Sequence, residues 1–292
     1  MKKIASLILI LLFFSACKNS KQEKITNNHV FQKRNLIPWA IVGFDNKERN
    51  PKERIDMIKR LGFSGYGYGH RVKHIPSMQQ EWELAQSENI NIDAVWIYLN
   101  LDKDQPDTLR DQNEAVLKNL KLVGLKTQIW VAFDAKHFEN LSDDEALADA
   151  VKMVSYLSER ASKLGCKIAL YNHGGWAGNS ENQIKIIKAL PNENIGIVFN
   201  FHHAHQDLDH YTEHIKMMLP YLWCVNLNGM KKDGPKIMTI GDGDLEKDMI
   251  QQLLDIGYKG PFGILGHVSD TDPEVILQDN VAGLWRLFPK DH

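Results

Sequence analysis

Short apolar runs alternate along this chain with longer stretches in which apolar residues recur every three or four positions. Short runs bounded by turn residues read as buried parallel strands, and the 3.6-residue recurrence reads as amphipathic helix. The strand candidates are Ile37 to Phe44, Ser64 to Gly69, Asp93 to Leu99, Thr127 to Phe133, Ile168 to His173, Ile195 to His203, Leu222 to Gly229 and Phe262 to His267. Helical patterns follow them at Pro51 to Leu61, Met78 to Glu88, Pro106 to Val123, Asp144 to Leu164, Ser180 to Leu190, Asp207 to Leu219, Leu245 to Ile256 and Glu274 to Phe288. Pro51 and Pro106 suit a first helical turn, Ser142 or Asp143 and Asn179 or Ser180 suit N-caps, and Gly62, Gly124, Gly165 and Gly257 sit where helices stop. Strict alternation of this kind predicts an α/β protein, a single (β/α)8 TIM barrel. An open doubly wound sheet is the rival, but no Gly-x-Gly-x-x-Gly follows the first strand.

In such a barrel the C-terminal strand ends converge on one mouth. The last four strands each end in a burst of His, Asn and Gly, which places the chemistry there. Strand alternation allows one parity to bring in Tyr66, Tyr68 and His70, then Trp96, Tyr98 and Asn100, then Gln128, Trp130 and Asp134. Aromatic faces beside amides and imidazoles suit a polyhydroxylated ligand, so the expected partner is a small-molecule carbohydrate.

The stretches Ala169-Leu-Tyr-Asn-His-Gly-Gly-Trp176, Gly196-Ile-Val-Phe-Asn-Phe-His-His203, Val225-Asn-Leu-Asn-Gly229 and Gly260-Pro-Phe-Gly-Ile-Leu265 carry a resemblance. With them, residues 35–292 resemble the xylose isomerase-like TIM-barrel superfamily, often labelled sugar phosphate isomerase/epimerase. That resemblance implies a divalent metal held by two Glu, an Asp and a His on the last four strands. This chain departs from the pattern at each place, with Tyr171, Asn200, Asn226 and Leu265 where those ligands would stand. Neutral amides and an apolar side chain do not suit a hard cation.

Two readings of the site follow. His173, His203 and His267 come from different strands, and three neutral imidazoles could hold Zn²⁺ or a similar metal. The preferred reading needs no cofactor and uses His173 and His267 as acid and base, with His203 beside them and His70 or Asp134 as outside candidates. Asn172, Asn200, His202, Asn226, Asn228, Trp130 and His70 are then the expected substrate-binding residues. The expected reaction is proton transfer next to a carbonyl: isomerisation, epimerisation or elimination/hydration on a free or 3-keto sugar. A carbohydrate-binding protein without catalysis is the alternative. A phosphorylated substrate is less attractive, because Arg71, Lys73, Lys231 and Lys232 are the nearest loop cations. Asp242, in Gly241-Asp-Gly-Asp244, is a weak contact candidate in what reads as a turn and helix cap.

Composition adds limits. A net charge of −2 with no basic block argues against nucleic acid as a partner. Beyond Cys17 only Cys166 and Cys224 remain, so a large core rather than disulfides must hold the domain. Lys2 and Lys3 followed by the apolar run Ile4 to Phe14 form an export signal too short to span a membrane with confidence. Ser15-Ala16-Cys17 resembles a bacterial lipobox, although Phe14 stands where Leu is usual. That resemblance implies a signal peptide with lipobox over residues 1–17, cut so that Cys17 becomes the lipidated first residue, a flexible tether over residues 18–34, and an exported lipoprotein anchored in a membrane, with the outer membrane preferred.

Overall fold

The expected alternation closes into a ring of parallel strands in the computed structural model, which describes residues 30–99, 109–268 and 270–289. The strands are β1 (Leu36–Trp39), β2 (Gly65–Tyr68), β3 (Asn91–Leu99), β4 (Gln128–Phe133), β5 (Lys167–Tyr171), β6 (Ile195–Asn200), β7 (Leu222–Leu227) and β8 (Phe262–Leu265). Their order is β1-β8-β7-β6-β5-β4-β3-β2, all parallel, with the seam between β1 and β2. This is a single (β/α)8 barrel. Around it lie α1 (Pro51–Leu61), α2 (Ile75–Ser87), α3 (Asp111–Val123), α4 (Asp143–Lys163), α5 (Gly175–Gly178), α6 (Ser180–Ala189), α7 (Tyr211–Met218), α8 (Glu246–Asp255) and α9 (Pro273–Leu287).

Local signals explain the helix boundaries. Asn50 and Glu53 form a reciprocal capping box before α1, with Pro51 in its first turn, and Gly62 ends it at φ 74°. Ser142 and Glu145 do the same for α4, and Asn179 caps α6 by accepting from the backbone of Glu181 and Asn182. Residues 40–44, 172–173, 201–203, 228–229 and 266–267, expected at the ends of strands, lie beyond the ladders in the mouth loops. The helix expected from Asp207 begins regularly only at Tyr211, after 3-10 turns over His205–His210.

Apolar residues fill two layers. The outer core packs strands against helices, and the inner one fills the barrel with Ile37, Trp39, Trp130, Ala169, Tyr171, Val198 and Cys224. Trp39 crosses toward the seam, and its ring occupies the space that a β-carbon on Gly67 would need, 2.4 Å away. The glycines of β2 therefore face inward. Tyr66 and Tyr68, expected in the mouth, point instead to α2, where both donate to the buried Glu81 carboxylate at 2.6 and 3.4 Å. Arg54 from α1 completes that buried cluster at 2.7 Å from Glu81.

The packed body also starts earlier than expected. Val30 and Phe31 are buried, and the Phe31 ring stacks between Phe262 and Phe288 at centroid distances of 5.3 and 5.0 Å. Phe31 O accepts from Trp285 Nε1 at 3.1 Å, and Val30 O accepts from Asn35 at 2.8 Å. A tether reaching Arg34 is thus corrected at its end: two apolar residues close the barrel base. The proposed signal, Cys17 and the earlier part of the tether lie outside the described residues, as do Asn100 and Pro106.

Candidate active site

A cavity of about 430 Å³ opens at the C-terminal ends of the strands, within the roughly 300–1,000 Å³ usual for small-molecule sites. Its floor is the Tyr171 hydroxyl. Tyr171 ends β5 and is fully buried, and three side-chain N–H groups converge on its oxygen: Trp39 Nε1 from β1 at 3.0 Å, Asn226 Nδ2 from β7 at 3.2 Å, and Asn200 Nδ2 from β6. The register makes this possible by setting Asn200 opposite Asn226 and Asn226 opposite Gly263. A β-carbon on Gly263 would lie 1.8 Å from Asn226 Oδ1, so only glycine leaves room for the amide. Asn200 is held from its other end, where Oδ1 accepts from the backbone of His202 at 2.9 Å. Burial pushes the Tyr171 hydroxyl up to about 12 against the opposing pull of these donors, so the phenol is neutral. The three N–H groups share the two lone pairs of the hydroxyl oxygen, and the phenol's own proton has no protein acceptor among the described residues.

Imidazoles form the wall above. His173 and His203 have ring centroids 4.7 Å apart, His203 and His202 4.5 Å, and His202 and His267 5.5 Å. Trp96 and Tyr98 stand edge-on to His173 at 5.6 and 5.9 Å, and Phe44 packs on His267. Burial lowers all four of these histidines, assisted by neighbouring positive groups. His203 falls to about 2 and His267 to about 4, while His173 is lowered and remains the most exposed. His70, also at the rim, falls to about 4 by burial, and its Nδ1 is buried without a partner. These rings are neutral at pH 7.

Of the residues expected from sequence, His70, His173, Asn200, His202, His203 and His267 line this cavity. Others are engaged elsewhere. Asn172 clamps β5 to β6 through both its amide atoms, donating to Asn200 O at 3.1 Å and accepting from Asn200 N at 2.8 Å. Asn228 holds the following loop, donating to Gly229 O and Lys236 O and accepting from Met238 N. Asn226 serves Tyr171 from below. Trp130 lies in the barrel core against Trp39, with its Nε1 bonded to Gln128, and does not reach the cavity lining. The Gly241–Asp244 turn caps α8 through Glu246, and Asp242 faces Arg286. Asp134 caps the turn after β4 through Lys136 N. Tyr171 itself is the residue that sequence reasoning treated only as a lost ligand; its shared parity with His173 is the signal that placed it in the mouth.

A family model described as xylose isomerase-like TIM barrel matches residues 55–285. The chain belongs to that family. Among solved structures of the same fold is 3-keto-D-glucoside 4-epimerase from E. coli, with 18% identity, a TM-score of 0.64, and coverage of 87% of this chain and 98% of that one. The IolI protein with a bound zinc atom aligns at 15% identity and TM-score 0.65 over 87% and 98%. A probable 3-DHS dehydratase from Bacillus anthracis aligns at 12% identity and TM-score 0.63 over 85% and 97%. No curated protein matches the chain at a significant level.

The divalent metal that this xylose isomerase-like family implies does not fit the residues present. The cavity floor is a phenol with N–H groups turned toward its oxygen beside the apolar Leu265, and no carboxylate lines the cavity among the described residues, a donor set unsuited to a hard cation. The second option, three imidazoles as ligands, is not assembled either: among the described residues no group of three or more His, Cys, Asp or Glu is placed to hold an ion. His267 turns to Phe44 and His202 rather than to His173.

Proposed function

We propose that this protein is a sugar-modifying enzyme that moves a proton next to a carbonyl, on a free or 3-keto sugar, and needs no metal to do so. The observation that carries the reading is the Tyr171 hydroxyl, lodged among three N–H donors at the cavity floor with its proton free for the substrate. Removing a proton beside a ketone places negative charge on the carbonyl oxygen. A preorganised donor at that oxygen contributes about 3–4 kcal/mol of transition-state stabilisation. Tyr171 supplies it, and the N–H groups from Trp39, Asn200 and Asn226 keep the phenol oriented and make its proton a better donor.

His173 is the base, being neutral, most exposed and least pinned of the imidazoles. His267 and His203 are neutral at pH 7 and so contribute N–H donors and nitrogen acceptors to sugar hydroxyls rather than a ready imidazolium. Trp96 and Tyr98 supply the face on which a pyranose ring stacks. The related epimerase and dehydratase structures support a reaction of this class. The protein works as an exported lipoprotein, tethered through Cys17, a reading that rests on the charged and apolar start of the chain.

The test is exchange. Incubated with a 3-keto-glucoside in D₂O, the protein replaces the hydrogen beside the ketone with deuterium or forms a new isomer, followed by NMR. Tyr171→Phe and His173→Ala each slow that exchange at least a hundredfold. Saturable binding heat with no exchange and no product across a panel of keto-sugars refutes the catalytic reading and leaves a carbohydrate-binding protein.

A further inference from the structure

The lining of the cavity contains no carboxylate among the described residues, yet it carries two guanidinium groups, Arg71 and Arg110. In a chain with a net charge of −2 this is a local excess of positive charge. Arg71 is the more informative. Its guanidinium carbon sits 4.5 Å above the Phe44 ring, whose other neighbour is His267, and it packs across Gly43, where a β-carbon would stand 2.9 Å from Nη1. Among the described residues its side chain makes a single protein hydrogen bond, from Nη1 to His70 O at 3.2 Å. Two other basic residues nearby have acidic partners: Arg49 with Asp45 and Asp272, Lys73 with Glu48. Arg71 has none among the described residues, and its charge reaches His70, His173 and His267 alike.

A guanidinium held over an aromatic ring, with most of its N–H groups unspent, matches the two oxygens of a carboxylate. A phosphate dianion would call for several cations or a cradle of backbone N–H groups. Resting on the reading of this mouth as a sugar site, we infer that its sugar is an acid, of the uronate type, with the carboxylate seated on Arg71. The carboxylate also orients the ring, placing its carbonyl toward Tyr171 while the acidic end stays at the rim.

Calorimetry on the full chain tests this with D-glucuronate, D-galacturonate and D-mannuronate, each against its methyl ester and its parent neutral sugar, and with D-glucose 6-phosphate. At least one acid binds tenfold or more tighter than its own ester at low salt. The ratio falls toward one in 0.3 M NaCl and in Arg71→Gln, and Arg71→Lys keeps part of it. Since the readout is a ratio within one protein sample, a poorly folded variant does not imitate the result. No preference for any acid over its ester, a preference that survives Arg71→Gln, or tighter binding of the phosphate each overturns the inference. Proton exchange on a neutral keto-sugar without acid preference would leave the catalytic reading intact, and acid preference without exchange would do the reverse.

Discussion

Tyr171→Phe removes a single oxygen from the centre of the barrel and leaves the aromatic packing with Trp39, Trp96 and Trp130 in place. Three N–H donors then lose their acceptor. Trp39 is 5% exposed, Asn200 1% and Asn226 0%, so protein offers little else and water reaches only those facing the cavity. Each buried donor left unpaired costs about 1–3 kcal/mol, offset in part because the phenol no longer has to be desolvated. With Asn200 and Trp39 rehydrated from the mouth and Asn226 stranded, the net loss is about 2–4 kcal/mol. For a domain of this size that lowers the melting temperature by roughly 5–15 °C. Urea unfolding of Tyr171→Phe, Asn226→Ala and the double variant reads the loss directly, and the pair shows a coupling of about 1–2 kcal/mol. A Tyr171→Phe midpoint within about 0.5 kcal/mol of the parent, or strict additivity with Asn226→Ala, refutes the hub.

Acid weakens the fold through the buried imidazoles. The pKa values of His70, His203 and His267 are depressed in the folded state, so the unfolded chain binds more protons once pH drops below about 6.5 and stability is lost down to the folded values near 4 and 2. Each contributes a loss of about 1–2 kcal/mol between pH 7 and 5. Thermal melts across that range check this, and equal stability at both ends refutes it. Gly67→Ala forces a methyl group against the Trp39 ring and lowers stability by about 2–4 kcal/mol in denaturant titration; a neutral effect would show that the ring moves freely. Glu81→Ala leaves the buried Arg54 with only Asp45 at 3.8 Å as an acidic partner and the Tyr66 and Tyr68 hydroxyls without their acceptor, with an expected cost of about 3–5 kcal/mol. Phe31→Ala opens the barrel base for about 3 kcal/mol, where a flexible tether would give no change.

The fold was legible because its signals are local. Asn50-Pro51, Ser142 and Asn179 act as caps whatever surrounds them, and the apolar runs fall on the strands within a few residues. The site was legible in position but not in the direction of each side chain. In β2 the alternation Gly65-Tyr66-Gly67-Tyr68 fits either face, and what decides is Trp39, 28 residues before Gly67 in the chain, which fills the inner side. Asn172, Asn226 and Asn228 illustrate a second limit. An amide at a strand end serves equally well as a ligand contact or as a clamp on backbone, and only the tertiary partners, Asn200, Tyr171 and Lys236, distinguish the two. The reach of Arg71 over Phe44 was likewise invisible, since it depends on a loop that Gly43 allows to approach.

A cavity lined by a phenol, amides and imidazoles, with no carboxylate among the described residues, changes what the substrate must bring. A cation at the centre would polarise an ordinary hydroxy-carbonyl pair by its own charge. On the proposed reading Tyr171 offers a hydrogen bond instead, strengthened because Trp39, Trp96 and Trp130 exclude water from its surroundings. The same dry, positively charged mouth keeps His173, His203 and His267 neutral, so none is an imidazolium at pH 7 that could fully protonate the carbonyl oxygen while a weakly acidic C–H bond breaks. The acidity must come from the substrate, which a ring ketone supplies to its neighbouring C–H. The positive field that disfavours imidazolium also favours the enolate once formed, and it favours a carboxylate waiting at the rim. On the proposed reading, neutral bases, a phenolic donor and an arginine without an acidic partner among the described residues are therefore three parts of one electrostatic arrangement.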